Sequence, residues 1–398
     1  RHLYMNVALV GCGYVADFYA RNARAYPHLP IRQCYDRDAE RLEAFAHHHD
    51  LPAAPDLEAI LADDRIDLVL NLTNPREHYD ITEACLNAGK HVYSEKPLGM
   101  TLEEAESLAT LAEDNGLRLG TAPCSVLSNT GQTVWKAIED GAIGTVRMVY
   151  ANYDDGMIAP GQKPWNWTSE SGAHWPAKDE FEIGCTYEHA GYFLTWLNAF
   201  FGPARSVQAY ASCQIPDKGI EVDAMAPDFT AGCIEYDDNV VARVTCGLVA
   251  PMDKSLTVVG DDGFLFVRYL RNDTEPVYLR RDRMSTNTHR VENLVNRLRR
   301  TFSGVLDRLP FPTDEFLMYS QVPFALSQEQ PTAGTDKHVD FMLGPAEMAD
   351  AIASDRPHRL SADLGVHIVE QIEALQYPEQ FGYRRELSTE FSSLTPSW

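Results

Sequence analysis

The feature that most constrains this chain is a glycine-rich turn near its beginning. An apolar run, 6–10, ends in the segment Gly11-Cys12-Gly13-Tyr14-Val15-Ala16 and passes directly into a helix-like pattern. In such a turn the first glycine permits the sharp bend, the second lets the backbone approach a pyrophosphate, and the third small residue lets helix and strand pack closely. The segment therefore predicts the first strand–turn–helix unit of a dinucleotide-binding sheet, with phosphates at the helix N-terminus.

An acidic residue after the next strand fits the same unit. The apolar stretch 31–35 ends in Asp36, where a carboxylate would bind the hydroxyls of the adenine ribose. A glycine turn in an unrelated α/β protein is the alternative, and Asp36 argues against it. Because a carboxylate repels a 2′-phosphate, Asp36 favours NAD as the cofactor. Arg37 beside it could accommodate that phosphate, so NADP stays open.

Length and charge restrict the class of protein. At 398 residues the chain exceeds one ordinary core, so two domains are expected. The formal net charge of −24 argues against nucleic acid or an anionic membrane as a partner. The chain has no stretch of about 18 apolar residues and no signal-peptide pattern before the first strand. We therefore expect a cytoplasmic protein without a membrane span.

Cysteine and histidine usage argues against a metal centre. None of the eight cysteines forms a Cys-x-x-Cys pair, so buried, reduced thiols are expected and a zinc site is not. The tract His47-His48-His49-Asp50 resembles a metal-binding tract in composition. Successive helical residues point in different directions, however, so we interpret the tract as the end of an exposed helix and expect no metal.

The order of patterns predicts two domains of different architecture. Over 1–123, strand-like and helix-like segments alternate, which indicates an α/β, Rossmann-type doubly wound parallel sheet. Over 124–398, successive strands with hairpin turns at 237–239 and 261–263 indicate an α+β domain with a large open, mainly antiparallel sheet. The segment 282–335 interrupts this pattern and is interpreted as an insertion: a lid, a subunit contact or a surface extension. The C-terminal helices are candidates to pack back on the first domain.

Three further motifs point to one family. Glu95-Lys96-Pro97 follows the predicted strand 90–94, the stretch Asn71-Leu72-Thr73-Asn74-Pro75 is followed by His78, and Gly141-Ala142-Ile143-Gly144 forms a turn before the second sheet. Together with the glycine turn, these motifs resemble the glucose–fructose oxidoreductase, inositol dehydrogenase and MocA family over most of residues 6–270 and the C-terminal helices. The resemblance implies NAD(P)-dependent transfer of a hydride between nicotinamide and a secondary hydroxyl of a sugar, inositol or glycoside.

The resemblance implies that Lys96 is catalytic or orients the substrate. Partial burial and the positive charge of oxidised nicotinamide would lower the pKa of Lys96, which suits acid–base chemistry near neutrality. The alternative is a surface lysine in a salt bridge with Glu95.

The family usually supplies two further groups from an Asp-x-x-x-His helix that runs to Phe-Gly-Pro. Counting back from Phe201-Gly202-Pro203 places Tyr192 at the histidine position and Glu188 at the aspartate position. A tyrosine here resembles the dihydrodiol and xylose dehydrogenase branch. Residues i and i+4 share a helix face, so both side chains are expected to point at the substrate. His189 competes for the role of base but would point about 100° away, so we prefer Tyr192 or Lys96. The alternative is that Glu188 and Tyr192 only pack between helix and sheet.

A loop rich in tryptophan is the candidate substrate wall. Trp165, Trp167 and Trp175 could stack on pyranose rings, and Asp155 could reach the same pocket. The alternative is a loop held to the surface by its aromatic residues. The residues expected to contact the cofactor are Gly11, Gly13, Tyr14, Val15, Ala16, Asp36, Arg37, Thr73, Asn74, His78, Glu95 and Lys96.

Two other functions remain open from the sequence. One is an enzyme that retains NAD and cleaves a glycosidic bond through transient oxidation. The other is a non-catalytic NAD-binding regulatory protein, against which Lys96, Glu188 and Tyr192 argue. An open sheet exposes a face that needs covering, so we expect a homodimer or homotetramer with a small carbohydrate or polyol as substrate.

Overall fold

Two β-sheets organise the described part of the chain. The computed structural model describes residues 4–158, 161–249, 251–281, 297, 319–326 and 339–398. Most of the predicted insertion, 282–335, lies outside these residues; its described part includes the short strand Ser320–Gln321.

The first sheet is parallel and five-stranded, with the order β2-β1-β3-β4-β5. This confirms the predicted doubly wound sheet. Its strands are β1 (Val7–Val10), β2 (Ile31–Tyr35), β3 (Leu68–Asn71), β4 (His91–Ser94) and β5 (Leu119–Thr121). The connecting helices are α1 (Ala16–Ala23), α2 (Ala39–His49), α3 (Leu57–Leu61), α4 (His78–Asn87) and α5 (Leu102–Asp114).

Side-chain caps start several helices where the sequence offers an oxygen acceptor. The Asp38 carboxylate accepts hydrogen bonds from the backbone N–H groups of Glu40 and Arg41 at the start of α2. The Thr101 hydroxyl accepts from the N–H of Glu104 at the start of α5. Such caps satisfy N–H groups that have no partner inside the helix and stabilise each helix by about 1 kcal/mol.

The strand order opens a crevice between β1 and β3. The chain leaves β1 towards β2 on one side and later returns to β3 on the other, so the loops that follow β1 and β3 diverge. Gly11 lies at this point with φ +94°, and a Cβ atom on it would lie 2.6 Å from the backbone carbon of Leu72. Only glycine fits this backbone conformation and this close approach.

The second sheet is nine-stranded and mostly antiparallel, as predicted. Its order is β13-β12-β11-β10-β6-β9-β8-β7-β14, in which β6 and β9 are parallel and every other described neighbouring pair is antiparallel. The strands are β6 (Val146–Asp154), β7 (Ser206–Ser212), β8 (Phe229–Glu235), β9 (Val241–Gly247), β10 (Leu256–Gly260), β11 (Gly263–Val267), β12 (Val277–Arg281), β13 (Ser320–Gln321) and β14 (Arg384–Glu386).

Helices cover one face of this sheet. Along β6, Val149 and Ala151 are buried whereas Met148 and Tyr150 are exposed, which is the alternation of a sheet with one covered face. The remaining helices are α6 (Asn129–Glu139), α7 (Ala177–Ile183), α8 (Cys185–His189), α9 (Gly191–Phe201), α10 (Leu343–Ala353) and α11 (Ala362–Gln376).

Helix α11 lies between the two sheets. It contacts α5 and β5 of the first layer, and also β7, β8 and α9 of the second. Helix α10 likewise contacts β5. A continuous cluster of buried apolar side chains therefore runs from the first sheet to the second. None of the described helices has both the length and the apolar character needed to cross a membrane.

The histidine tract differs from the prediction of an exposed helix end. His48 is exposed, but the His49 side chain is only 2% exposed and its Nε2 lies 2.5 Å from Oδ1 of Asp17. The other Asp17 oxygen accepts hydrogen bonds from the N–H and hydroxyl of Ser171, at 3.1 and 2.9 Å. The ligand atoms of Asp17, His48 and His49 lie within 4.8 Å of one another, the one such trio in the described chain. The prediction failed because it ignored Asp17, which lies on a different helix.

Replacing Gly344 by alanine tests the close packing of α10 on β4. A Cβ atom at Gly344 would lie 2.1 Å from Oη of the buried Tyr93. We expect G344A to lower the free energy of unfolding by about 1–3 kcal/mol, because the core must shift to admit the methyl group. Urea unfolding measures this change.

The matched control is G161A. Gly161 is exposed, and a Cβ atom placed on it would have the Met157 carbonyl oxygen as its nearest neighbour, at 4.0 Å. We expect G161A to unfold at the wild-type urea concentration. Equal stability of G344A and G161A would contradict the packing described here.

Candidate active site

A groove runs along the carboxyl ends of the strands of the first sheet. It consists of two adjoining cavities of about 80 Å³ and 270 Å³, which share Gly13, Leu72, Thr73 and Asn74. The smaller cavity extends to Asp36 at the end of β2. The larger one extends to Lys96 after β4 and to α8 and α9 of the second layer. A long ligand in the groove would therefore reach from the first sheet to the second layer.

The glycine turn leaves room and free donors for phosphates in this groove. No atom lies within 4 Å of a Cβ position built on Gly13. Helix α1 begins after Val15 without a side-chain cap, so its first N–H groups remain available to a ligand. The turn therefore fits the pyrophosphate of a dinucleotide. Ala16 is fully buried beneath the groove. It packs in the core and does not line the cavity.

Asp36 lies at the predicted position, where it lines the smaller cavity and also holds protein donors. Its oxygens accept the N–H groups of Cys12 and Asp38, both at 2.8 Å. Arg41 forms a two-pronged ion pair with the same carboxylate, at 3.0 and 3.1 Å. Arg37 instead points to Glu77, at 3.1 Å, and is largely exposed. Sequence reasoning missed Arg41, although its place near the start of the helix after Asp36 was a usable signal.

The predicted cofactor residues from the other loops also meet in the groove. Tyr14, Thr73, Asn74, His78 and Glu95 line the larger cavity. The buried His78 ring joins two of these loops, with its nitrogens 2.6 Å from the Pro97 carbonyl and 3.0 Å from the Thr73 carbonyl. Burial lowers the pKa of His78.

Lys96 pairs across the layers with Glu188. Its Nζ lies 2.6 Å from Oε2 of Glu188, and the two side chains are only 17% and 7% exposed. Glu95 accepts instead the hydroxyl of Tyr19, at 2.8 Å. The alternative of a surface pair between Lys96 and Glu95 is therefore wrong.

The charge state of Lys96 differs from the expectation. Burial on its own would lower the pKa of Lys96, but the nearby Glu188, Tyr192 and Glu180 outweigh burial and raise it. In the protein alone Lys96 is therefore an ammonium group at neutral pH. The prediction of a lowered pKa concerned the site with oxidised nicotinamide bound, and it did not include the acidic groups that raise the pKa of Lys96 in the protein alone.

Helices α8 and α9 bring three predicted side chains to the same cavity. Glu188, His189 and Tyr192 all line it, with Ala190 separating the two helices. The expectation that His189 points away from the site is therefore wrong. Burial lowers the pKa of His189 to about 4, although Asp155 opposes this effect. His189 is thus a neutral imidazole at neutral pH.

Tyr192 stacks on Tyr153 of β6. Their ring centroids lie 4.8 Å apart with an angle of 12° between the planes. Burial raises the pKa of the Tyr192 phenol, whereas Arg271 and Lys96 act to lower it. The two cations therefore stabilise negative charge on this oxygen.

The tryptophan loop is only partly at the cavity. Trp167 and Trp175 line it, with centroids 5.4 Å apart. Trp165 does not line it: this residue lies in the 3₁₀ turn Pro164–Asn166 and packs over Gly219. The three tryptophans lie close together in the sequence, so their positions did not show which of them line the cavity. Asp155 lines the cavity and forms an ion pair with Lys254.

Two charged residues of the cavity were missed by sequence reasoning. Glu180 is buried with one carboxylate oxygen unpartnered, and burial raises its pKa well above the usual range. Its signal was a lone acid among the buried residues of α7. Arg271 reaches the cavity from the loop between β11 and β12 and had no sequence signal.

Asp273 anchors the loop that carries Arg271. Its Oδ2 accepts the N–H of Asp340 at 2.6 Å, and its carbonyl accepts the N–H of Thr130 at 3.1 Å. Burial raises the pKa of Asp273 to about 8, although the hydrogen bond from the Asp340 N–H acts to lower it. The carboxyl group is therefore mostly protonated at neutral pH.

The raised pKa of Asp273 predicts a pH-dependent stability. The unfolded chain releases this proton near pH 4, roughly the ordinary aspartate pKa, whereas the folded protein retains it until about pH 8. The stability that Asp273 contributes is thus complete below pH 4 and is lost as the pH rises to 8. We expect D273N, which cannot ionise, to gain at least about 1 kcal/mol relative to wild type between roughly pH 5 and pH 8.

Urea unfolding of D273N at both pH values measures this gain. The control is D114N, at an exposed position at the end of α5, which should follow the wild-type pH dependence. If D273N and D114N show the same pH dependence, Asp273 does not hold the proton.

Models of one oxidoreductase family match both parts of the chain. The model of an oxidoreductase family with an NAD-binding Rossmann fold matches residues 5–122, and the model of the GFO/IDH/MocA C-terminal domain matches residues 132–266. An uncharacterised oxidoreductase of Synechocystis is 25% identical over 262 residues, 65% of this chain and 67% of the relative. The scyllo-inositol 2-dehydrogenase (NADP⁺) IolW of Bacillus subtilis is 28% identical over 165 residues, 42% of this chain and 43% of the relative. The chain thus matches only about half the length of several curated relatives.

A solved structure shares the whole described architecture. Levoglucosan dehydrogenase, in a complex with NADH and L-sorbose, superposes with a TM-score of 0.74. The match covers 97% of this chain and 99% of the other at 19% identity. At this identity the likeness concerns the fold.

Proposed function

Because the chain belongs to the GFO/IDH/MocA family of NAD(P)-binding oxidoreductases, we propose that it is a dehydrogenase of a sugar-like secondary alcohol. The observation that carries this proposal is the Lys96–Glu188 pair, which lies in the wall of the cavity that the cofactor groove enters. The name of IolW, an inositol dehydrogenase, and the sorbose complex of levoglucosan dehydrogenase support a polyhydroxylated substrate. NAD(P), when bound, would accept the hydride.

In this proposal Lys96 acts as a fixed positive charge. As an ammonium group it donates a hydrogen bond to the reacting hydroxyl and stabilises the alkoxide that forms there. Glu188 holds Lys96 in position through their 2.6 Å contact. Lys96 is therefore a positioning and electrostatic group rather than the base.

Tyr192 is the proton acceptor in this proposal. Its phenol faces the cavity; burial raises the pKa of this phenol, while Arg271 and Lys96 act to lower it, so Tyr192 accepts the hydroxyl proton only in its deprotonated form. His189, with a pKa of about 4, is too weak a base and stays neutral. The faces of Trp167 and Trp175 offer apolar surfaces to a sugar ring.

Replacing Lys96 tests the proposed function. We expect K96M to lower kcat by a factor of about 10²–10³ because it removes the charge that stabilises the alkoxide. Binding of NAD should persist because the glycine turn and Asp36 remain. The assay follows reduced-nicotinamide absorbance with a panel of sugars, inositols and glycosides, and calorimetry measures NAD binding.

The matched control for Lys96 is K136M. Lys136 is 40% exposed and pairs with Asp140 on the surface of α6. K136M should retain wild-type turnover. Undiminished turnover in K96M would contradict the role of Lys96, and absence of turnover by the wild-type protein with every panel member would contradict the proposed function.

We further propose NAD as the preferred cofactor, with Arg41 setting how strongly NADP is rejected. The Asp36 carboxylate repels a 2′-phosphate, and Arg41 partly cancels this charge through its two contacts. We therefore expect R41A to lower kcat/KM for NADP about tenfold more than for NAD, which corresponds to about 1.4 kcal/mol. Steady-state kinetics with both cofactors measures the ratio.

The control for Arg41 is R65A. The Arg65 side chain is 84% exposed and pairs with Asp63, outside the groove. R65A should keep the wild-type ratio. If R41A changes both cofactors equally, Arg41 does not contribute to the choice between them.

A further inference from the structure

One cation of the larger cavity, Arg271, has no carboxylate at ion-pair distance in the described chain, although Asp155 acts on its charge from farther away. The Arg271 guanidinium lies over two aromatic rings, 5.5 Å from the centroid of Tyr192 and 5.9 Å from that of Phe341. Within the described chain it forms no hydrogen bond and no ion pair. Its side chain is partly buried in the cavity wall.

The two other cations around the cavity already have carboxylate partners. Lys96 pairs with Glu188, and Lys254 pairs with Asp155. Burial raises the pKa of Glu180 and lowers that of His189 to about 4. Among the described residues around the cavity, Arg271 is therefore the cation without a carboxylate at ion-pair distance.

Asp273 does not compensate this charge. It is two residues from Arg271, but its carboxyl group is oriented toward the N–H of Asp340. With a pKa of about 8 it is mostly neutral at neutral pH even beside the guanidinium. Arg271 thus lacks a counter-charge on its own loop.

A partly buried guanidinium without a partner is costly, since it gives up hydration. The cation–π contacts with the ring faces of Tyr192 and Phe341 offset only about 0.5–2 kcal/mol of this loss of hydration free energy. A carboxylate or phosphate would offset more of this free energy, because guanidinium binds such groups through two parallel hydrogen bonds. The missing partner is therefore expected to arrive with a ligand.

We propose that Arg271 binds an anionic group of the substrate, so that the enzyme acts on an acidic sugar derivative, either a sugar carboxylate or a sugar phosphate. This inference rests on the proposed dehydrogenase function and specifies its substrate class. Arg271 shares its wall with Tyr192 and His189, so the anionic group lies beside the reacting carbon. The pyrophosphate of the cofactor already has donors at the start of α1.

Calorimetric binding tests the inference without requiring turnover. The protein, saturated with NADH, is titrated with matched pairs: glucose and glucuronate, galactose and galacturonate, mannose and mannuronate, and each hexose with its 6-phosphate. We expect wild type to bind the acidic member of at least one pair ten or more times tighter than the neutral one. R271Q should reduce that preference to within threefold, and R271K should retain part of it.

Two controls separate the role of Arg271 from general damage. R281Q changes an exposed arginine at the end of β12 and should keep the wild-type preference. NADH affinity and the melting temperature of R271Q should match wild type. If R271Q loses NADH affinity while its preference among sugars is unchanged, Arg271 serves the cofactor pyrophosphate and the inference is wrong.

The remaining outcomes distinguish the inference from the proposed function. If wild type does not prefer the acidic member of any pair, Arg271 does not form an anion site, even if neutral sugars are oxidised. A preference that depends on Arg271, without reduction of NAD or NADP by any ligand bound, would support the anion site and contradict the dehydrogenase function.

Discussion

The pairing of Lys96 with Glu188 is the interaction on which the arrangement of the site depends. Charged groups can be buried between two layers only if each finds a partner, because the loss of hydration otherwise costs several kcal/mol per ion. This pair joins the loop after β4 to helix α8, at 2.6 Å, and so links the end of the first sheet to the helices that cover the second. The cavity opens beside this link, where the groove from Gly13 meets Tyr192.

The groove itself follows from the strand order. The crevice opens where the loops after β1 and β3 diverge, and Gly11 lets their backbones approach closely. The turn depends only on residues close together in the sequence. The glycine turn and Asp36 could therefore be predicted from the sequence. The same holds for Glu188 and Tyr192, whose spacing of four residues brings both to one wall even though the helix is divided at Ala190.

Features that depend on distant parts of the chain were not predictable in this way. His49 is buried beside Asp17, on another helix, whose Oδ1 lies 2.5 Å from the Nε2 of the histidine. His189 reaches the cavity because the helices divide beside it, and Lys96 gains rather than loses proton affinity because α7 and α8 supply acids around it. Arg271 enters the cavity from a loop between two strands, where no periodicity marks the direction of a side chain. Sequence patterns describe faces of single elements, whereas these four cases depend on which elements meet.

The parallel pairing of β6 with β9 has a consequence for how the protein is made. Met148 of β6 lies beside Val241 of β9, and the other neighbour of β6 is β10, so both edges of this central strand are completed by segments that emerge from the ribosome much later. Until then a strand that contains Val149, Ala151 and Tyr153 has no hydrogen-bonding partners within its sheet. Such long-range pairing slows folding and prolongs the time in which apolar surface is accessible to chaperones. The second sheet is therefore assembled late, around a strand synthesised early.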